Sequence, residues 1–170
     1  HAASTASSIA SSGAVPINEG FRFNELVPKN YYPILQTVTD LELLEKIEII
    51  KKAETVAKEF DDRIRRVTVS MMDALNLTQV ITSDGLVLRD TRPMFRFNVH
   101  CVSQDGENIQ NGSSGIGGRF GIEYLKNDDY SLILGEKSAS DAILLLSAKQ
   151  APSGLMPVIL GPAQSGILLH

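Results

Sequence analysis

The sequence contains one cysteine, Cys101, and no apolar run of the length that a membrane span requires. A lone cysteine cannot form an internal disulfide and suits a reducing compartment, so we expect a cytoplasmic protein. A helix that crosses a bilayer needs about 20 mostly apolar residues, and we therefore expect no membrane partner. Residues 1–13 have neither the basic start nor the continuous apolar stretch that are typical of a secretory signal.

A positively charged surface is also missing from the sequence. The chain carries 16 Lys and Arg against 20 Asp and Glu, which gives a net charge of -4 and a pI near 5.4. Basic and acidic residues are interspersed, whereas binding to phosphates favours a basic stripe. We therefore expect no direct contact with nucleic acid. With 170 residues, 43% of them apolar, the chain is long enough for one domain with a sizeable core.

The clearest predicted element is a helix over Asp40–Arg63. Thr39 followed by Glu42 matches a capping box, in which both side chains satisfy backbone N–H groups at the start of a helix. We interpret the segment as a helix that packs on the core of the domain. Its apolar residues recur at helical spacing, with Leu43 or Leu44, Ile47, Ile50, Val56 or Ala57, and Phe60 on one side.

After this helix the apolar period changes from 3.6 residues to 2, which indicates strands. Candidate strands cover Ile64–Met72, Leu77–Thr82 and Leu86–Asp90. Asp84-Gly85 lies between the last two and predicts a hairpin turn, because this dipeptide accepts positive φ.

A further strand is predicted to begin at Pro93 and to end at a turn formed by Asp105-Gly106. Its residues alternate, with Phe95, Phe97, Val99 and Cys101 on one face and Arg96, Asn98 and His100 on the other. We therefore predict an α+β fold, in which an antiparallel β-meander packs with one face against the long amphipathic helix.

The remaining segments give weaker patterns. Asn111–Gly121 is rich in glycine and is interpreted as a loop, and Ser138 or Ser140 is predicted to cap a second helix that runs to about Lys149. Pro157–Leu160 reads as a short buried strand, and Ile167–His170 as the truncated start of a new strand or helix. We divide the chain into residues 1–38, a helix end or tail followed by an extended connector, and residues 39–170, the α+β domain.

Few side chains in the sequence suggest a catalytic or ligand-binding site. The glycine-rich loop matches neither phosphate-binding glycine motif, and it is either a tight structural loop that Arg119 helps to anchor or a substrate-facing loop formed by Gly117, Gly118, Arg119 and Phe120. His100 and Cys101 are adjacent on a strand and point to opposite faces, so they do not share a metal. The carboxylates at Asp84, Asp90, Asp105, Asp128 and Asp129 are expected at turns.

Five segments together resemble the TldD/PmbA family, which is also associated by name with modulation of DNA gyrase. They are Ser83–Gly85, Arg89–Pro93, Gly115–Gly121, Ala151–Gly161 and Gly166–His170. Their order and separations look like the stretch of TldD that leads into its metal site, and the resemblance covers most of the chain from about Ala14. The ending Leu-Leu-His is similar to the TldD half of the family rather than to the PmbA/TldE half, which lacks the zinc motif.

The resemblance implies a zinc metallopeptidase that acts on unfolded or extended peptides. In such proteins the Leu-Leu-His run continues as a helix with a His-Glu-x-x-x-His motif, so His170 would be the first zinc ligand. One histidine cannot form a zinc site, and we expect neither bound zinc nor catalytic residues in this segment, which would instead supply scaffold and channel wall.

The implied partner is a PmbA/TldE-type subunit or a second copy of the chain. The alternative is a non-catalytic domain that binds a protein or an extended peptide, for example by strand addition at a sheet edge. An enzyme acting on nucleotides or other small molecules would depend on the glycine-rich loop alone.

Overall fold

The computed structural model describes residues 33–82, 85–127 and 129–159. It also describes residues 24–27, 29 and 31 and the separate positions 2, 6, 7, 11, 161, 166, 167 and 170. The described residues form a four-stranded sheet with helices on one face.

The four strands are β1 (Asn24–Leu26), β2 (Ile64–Ile81), β3 (Leu86–Asp105) and β4 (Asn108–Gly118). Helices are α1 (Leu43–Glu59), α2 (Glu123–Asn127) and α3 (Tyr130–Leu146), and a 3₁₀ turn covers Val38–Asp40.

Strand β3 is the centre of the sheet. It pairs antiparallel with β2 along one side over nearly its whole length and antiparallel with β4 over residues 95–105 on the other. The short β1 is parallel to β3 and pairs with residues 86–88. The predicted α+β class with an antiparallel sheet against a long helix is confirmed.

The strands are longer and fewer than predicted. Residues 64–81 form one strand where the sequence suggested a break after Met72, because the ladder to β3 continues through Asp73, Ala74 and Asn76 despite their low strand propensity. The separate strand expected at Pro93 is likewise continuous with residues 86–92. Among the described strands, residues 89–94 of β3 pair only with β2, so their other edge is unpaired. Pro93, which has no N–H to donate, is tolerated at such an edge.

Both predicted glycine turns are present. The N–H of Gly85, which has φ +88, donates to the Thr82 carbonyl and closes the β2–β3 hairpin; the other two residues of the predicted turn, 83 and 84, lie outside the described residues. Gly106, with φ +58, lies in the turn between β3 and β4. Positive φ is the reason that glycine occupies both positions.

The core lies between the inner face of β3 and the helices α1 and α3. Phe95, Phe97, Val99 and Cys101 are all buried on this face, as the alternation predicted. Ser103 continues the row and donates from its hydroxyl to the Ala142 carbonyl of α3 at 2.7 Å. The sheet and α3 are thus joined by a buried polar contact as well as by apolar packing.

Helix α1 differs from its prediction at both ends and in part of the face that it buries, although Ala57 and Ile50 of the predicted side do contact the core. The Thr39–Glu42 capping box is not formed; the Thr37 N–H and hydroxyl donate to Asp40 to open the 3₁₀ turn, and Glu42 begins the helix. The buried residues are Ile49, Ala53 and Ala57, whereas Leu43, Leu44 and Phe60 of the predicted apolar side are exposed.

Helix α3 begins eight residues before the nearer of its two predicted caps. Its buried face consists mainly of small residues, Ser131, Gly135, Ser138, Ala139 and Ala142, with Leu134. Leu145 and Leu146 near its end are not buried to the same extent, and the helix ends before Lys149, where the sequence predicted its end. Small side chains let the helix axis approach its neighbours closely, and this packing overrides the apolar pattern that the sequence offered.

The glycine-rich segment is a strand rather than a loop. Residues 108–118 form β4, and Gly112 lies under α3: a Cβ at this position would come 2.0 Å from the Ser138 carbonyl oxygen and 2.5 Å from the Ala142 nitrogen. Gly135 is equivalent on the other side of α3, since its Cβ would lie 2.7 Å from the Ala53 carbonyl oxygen of α1. Glycine serves here to allow close backbone contact.

The short buried strand predicted at Pro157–Leu160 is not formed. Residues 157–159 have no strand conformation and are exposed, and Leu160 lies outside the described residues. A strand requires a neighbour to accept its backbone hydrogen bonds, and no strand of the described ranges pairs with this segment.

Replacing Gly112 with alanine should destabilise the fold because the added methyl group would overlap the backbone of α3. We expect a loss of about 1–3 kcal/mol in the free energy of unfolding, the range for overpacked cores, measured by urea denaturation. Gly161→Ala is the matched control, since among the described residues no atom lies within 4 Å of its Cβ position. Equal stability of the two variants would contradict the packing described here.

A second prediction concerns the Asp61–Arg63 pair at the junction of α1 and β2. The Arg63 guanidinium donates twice to the Asp61 carboxylate, at 2.9 and 2.8 Å, and the Arg63 N–H adds a third bond. These bonds, the side-chain bonds foremost, lower the pKa of Asp61 to about 2. Because the folded pKa is below the unfolded one, the stabilisation is present above pH 4 and is lost as the pH falls towards 2.

The measurement is the free energy of unfolding of wild type and Asp61→Asn from pH 2 to 6. We expect wild type to be the more stable near pH 5 and the difference to shrink steadily as the pH falls towards 2. The neighbouring Asp62→Asn controls for general loss of acidic charge. A difference that does not change with pH would show that the pair does not act as described.

Candidate functional site

The distal half of the β2–β3 hairpin extends beyond the helices and forms an arm, defined here as residues 72–81 and 86–94. Apolar side chains on β2 within this arm are exposed, including Met72, Leu77 and Ile81. A cavity of ≈ 530 Å³ lies along the arm. This arm cavity is lined by Val27, Lys29, Tyr31, Thr78, Val80, Leu88, Arg89, Asp90, Thr91, Arg92 and Arg119.

A three-residue ionic cluster forms one wall of the arm cavity. The Asp90 carboxylate accepts a hydrogen bond from Arg92 Nε at 2.5 Å and another from Arg119 Nη2 at 3.2 Å. Arg119 also donates to the Thr91 carbonyl oxygen at 3.1 Å. These bonds, the one from Arg92 above all, lower the pKa of Asp90 from its usual value. Asp90 is therefore held charged, and it lies within β3 rather than at the turn that was predicted for it.

Positive charge exceeds negative charge around this cavity. Lys29, Arg89, Arg92 and Arg119 line it, against one lining carboxylate, Asp90. Arg89 is paired with Glu25 of β1 at 3.1 Å, but both side chains are more than half exposed, so this pair is largely screened by solvent. On a chain whose net charge is -4, the arm cavity is a local concentration of positive charge.

The structure separates the four residues of the predicted substrate-facing loop. Gly117 lies on the outer face of β4 opposite Arg96, and Gly118 ends the strand opposite Phe95. Phe120 packs edge-to-face on Phe95, with ring centroids 4.9 Å apart. Arg119 alone of the four lines the arm cavity, where it joins β4 to residues 90 and 91 of β3.

No metal centre is formed by the residues that the structure describes. Within these ranges no three His, Cys, Asp or Glu side chains lie close enough to hold an ion. His170 is exposed, and its N–H donates to the Gly166 carbonyl. His100 and Cys101 point to opposite faces of β3 as expected; Cys101 is buried, and this burial raises the pKa of its thiol. Of the described helices, none has the length and apolarity to traverse a bilayer.

Sequence reasoning missed most of the arm cavity. Arg89, Asp90 and Arg92 were noticed as part of one motif and Arg119 as part of another, yet 29 residues separate the bonded pair Asp90 and Arg119. The signal that could have joined them is the strand register, because Phe95 pairs with Gly118 and so brings the residues beyond this pair together. Lys29 and Tyr31 carried no signal of their own.

The described fold and sequence are similar to those of known proteins. A family model for the PmbA/TldA metallopeptidase central domain matches residues 37–146. A metalloprotease TldD homolog of Haemophilus influenzae is 30% identical over 152 residues, which cover 87% of this chain and 32% of that protein. A metalloprotease of Methanocaldococcus jannaschii is 29% identical over 162 residues, which cover 91% of this chain and 35% of its own length.

One solved structure supports the same assignment. It is a Thermotoga maritima protein described as a candidate modulator of a DNA gyrase, with a TM-score of 0.59, 25% identity, and coverage of 78% of this chain and 30% of that one. The chain therefore spans about a third of the length of the relatives that it matches.

The ionic cluster at Asp90 should behave as a coupled pair in a double-mutant cycle. We expect Asp90→Asn and Arg119→Gln each to lower the melting temperature, and the double variant to lose less than the sum of the two, because each change removes the same contact. Thermal unfolding followed by circular dichroism measures all four proteins. Strictly additive losses would show that the two side chains do not interact.

Proposed function

This chain belongs to the PmbA/TldD metallopeptidase family, and we propose that its protein is a zinc metallopeptidase that hydrolyses unfolded or extended peptides. The observation that carries the proposal is the match of residues 37–146 to the central domain of these metallopeptidases. Relatives aligned over most of the chain are named metalloproteases, which supports a metal cofactor in the family. Zinc as that metal, the peptide substrates and a cytoplasmic location are parts of this proposal.

The metal would not be held by the described residues alone. A protein zinc site uses about three or four ligands, and the described part of the chain offers no such group of donors. In our proposal His170 contributes one imidazole, and the other ligands come from sequence that the chain does not contain. No step of hydrolysis is therefore assigned to residues of this domain.

The proposed role of this domain is to form scaffold and channel wall. Helices α1 and α3 are packed firmly on the inner face of β3, and Lys46 of α1 bonds to Asp73 at the root of the arm at 3.2 Å. This packing can hold the arm at a fixed angle to the helices. The arm itself has exposed apolar side chains and the charged cavity, which are features suited to contact with an extended chain.

A partner subunit is the second part of the proposal. We propose that the arm packs against a PmbA/TldE-type subunit or a second copy of the chain. The support is the exposure of Leu75, Leu77 and Ile81 on one face of β2, with Met72 and Val80 exposed on the other, since exposed apolar patches mark binding surfaces.

The alternative function is a non-catalytic domain that binds a protein or peptide. Strand β2 favours it, because in the described part of the chain β2 pairs on one side only, with β3, over residues 64–81. A free edge of this length can accept an added strand. Pull-down of a TldE-type partner or an unfolded peptide in the presence of a chelator, combined with no zinc-dependent cleavage by the longer protein, would favour this alternative.

The test of the peptidase proposal requires protein that includes the sequence after His170. We expect this protein to bind zinc and to cleave an unfolded peptide, and we expect His170→Ala to lose both, because a site that lacks one of its ligands binds the metal poorly and cannot position it. Zinc content is measured by atomic absorption and cleavage by mass spectrometry.

His100→Ala is the matched control for this test. His100 lies on the outer face of β3 opposite Thr68 and Ser113, and its replacement should change neither zinc content nor cleavage. Zinc binding and cleavage that survive in His170→Ala would exclude His170 as a ligand. A longer protein that neither binds zinc nor cleaves any peptide would remove the peptidase proposal.

A further inference from the structure

We propose that the arm cavity is a binding site for the carboxylate of an extended peptide, supplied either by its C-terminus or by an acidic side chain. The inference deepens the proposed function and rests on it, since it assigns a chemical preference to the peptides that the protein would bind. The site is the charged wall formed by Arg89, Arg92 and Arg119 with Lys29.

Asp90 fixes the positions of the Arg92 and Arg119 guanidinium groups before a ligand binds. Asp90 holds Arg92 through Nε and Arg119 through Nη2, so two guanidinium groups are fixed beside one another on the same wall. Two such cations repel each other, and one carboxylate compensates only part of their charge. A second carboxylate would reduce this repulsion further, as in other clusters in which arginine groups bind an anion.

Arg92 provides the donors that reach the ligand. Its planar guanidinium has five N–H groups, and Asp90 accepts from Nε. Within the described ranges, no acceptor is bonded to its two terminal nitrogens, and its side chain is 55% exposed. These terminal N–H groups can therefore donate to an incoming carboxylate without loss of the bond to Asp90. Arg89, 63% exposed and paired with Glu25, also lines the cavity and adds to its positive charge.

The other walls suit the residue that bears the carboxylate. Val27, Val80 and Leu88 are apolar, and Tyr31 adds an aromatic side chain that Lys29 approaches to 5.2 Å from the ring centroid. A volume of ≈ 530 Å³ is within the range of ligand pockets and is enough for one or two amino-acid residues. An apolar floor beside a cationic rim lowers the local dielectric, which strengthens the ion pair.

A carboxylate fits better than a phosphate. Asp90 lies in the centre of the cluster and stays ionised, so a dianion would be repelled by it more strongly than a monoanion. The net charge of -4 for the chain as a whole acts in the same direction. A polyanion such as nucleic acid would also need a continuous basic surface, whereas these cations are confined to one cavity.

The test measures binding of a short apolar peptide to the 170-residue chain, by fluorescence anisotropy in low salt with a chelator present. Three forms are compared: a free C-terminal carboxylate, a C-terminal amide, and the amide with one internal glutamate. We expect at least one carboxylate form to bind about ten-fold more tightly than the plain amide, the range for a charge-assisted hydrogen bond. Which of the two binds identifies the source of the carboxylate.

Variants then locate the site. Arg92→Gln should weaken the carboxylate peptide about ten-fold and leave the plain amide unchanged. Arg66→Gln is the matched control, because this exposed arginine makes the same change in net charge on β2 outside the cavity. Arg89→Gln is a second variant with little risk to folding, since its side chain and that of its partner Glu25 are mostly exposed; it should weaken the carboxylate peptide in the same direction.

Equal binding of all three peptides would overturn the proposal, and so would equal weakening by Arg66→Gln and Arg92→Gln. A third contrary result would be displacement of the labelled amide peptide by inorganic phosphate but by neither carboxylate peptide. Because no hydrolysis is involved, this experiment is independent of the peptidase test. A longer protein that cleaves peptides without preference for a carboxylate would remove only the assignment of the cavity. Carboxylate binding without zinc-dependent cleavage would exclude only the proposed peptidase function.

Discussion

The contact on which the rest of the structure depends is the close approach of helix α3 to strand β4. Gly112 provides no side chain at this point, and the Ser138 hydroxyl lies 3.0 Å from its carbonyl oxygen and 3.2 Å from that of Val99. On its opposite side α3 meets α1 with similar closeness, at Gly135 and Ala53. These contacts place backbone against backbone, and a shift of α3 would leave the buried Ser138 hydroxyl unpaired. The sheet is thereby fixed along its base, where β2, β3 and β4 run side by side.

This rigid base explains why the arm can project. Beyond Phe95, β3 no longer pairs with β4 and continues with β2 as its main neighbour. A two-stranded ribbon is marginally stable alone, and here it continues an anchored sheet of which its strands are part. Two further contacts hold it: the short parallel pairing of β1 with residues 86–88, and the bonds from Arg119 to residues 90 and 91. The arm cavity lies between these two contacts.

How much of this could be read from the sequence depended on whether a pattern had a local cause. The buried face of β3 was correctly predicted because alternation from Phe95 to Cys101 is a direct consequence of strand geometry. The turns at Gly85 and Gly106 were predicted for an equally local reason, positive φ. Strand β4 was missed because glycine and serine have low strand propensity, and the close packing that makes them necessary involves a helix more than 20 residues away. The face of α1 was only partly predicted for the same reason: Ala57, one of the predicted alternatives, is buried, but so is Ala53, and leucine at 43 and 44 is not.

The core and the candidate site are linked by one register. Strand β4 pairs with β3 so that Cys101 lies opposite Gly112 and Phe95 opposite Gly118. A shift by one residue would turn Ser113 towards α3, where the backbone of Ser138 leaves no room even for a Cβ. The same shift would move Arg119 away from Asp90 and Thr91. The glycine that permits close packing therefore also determines which cation reaches the arm cavity, although Gly112 lies in the middle of β4 and Arg119 just beyond its end. The sequence alone could not show this connection, because it depends on a register that only the packing of α3 selects.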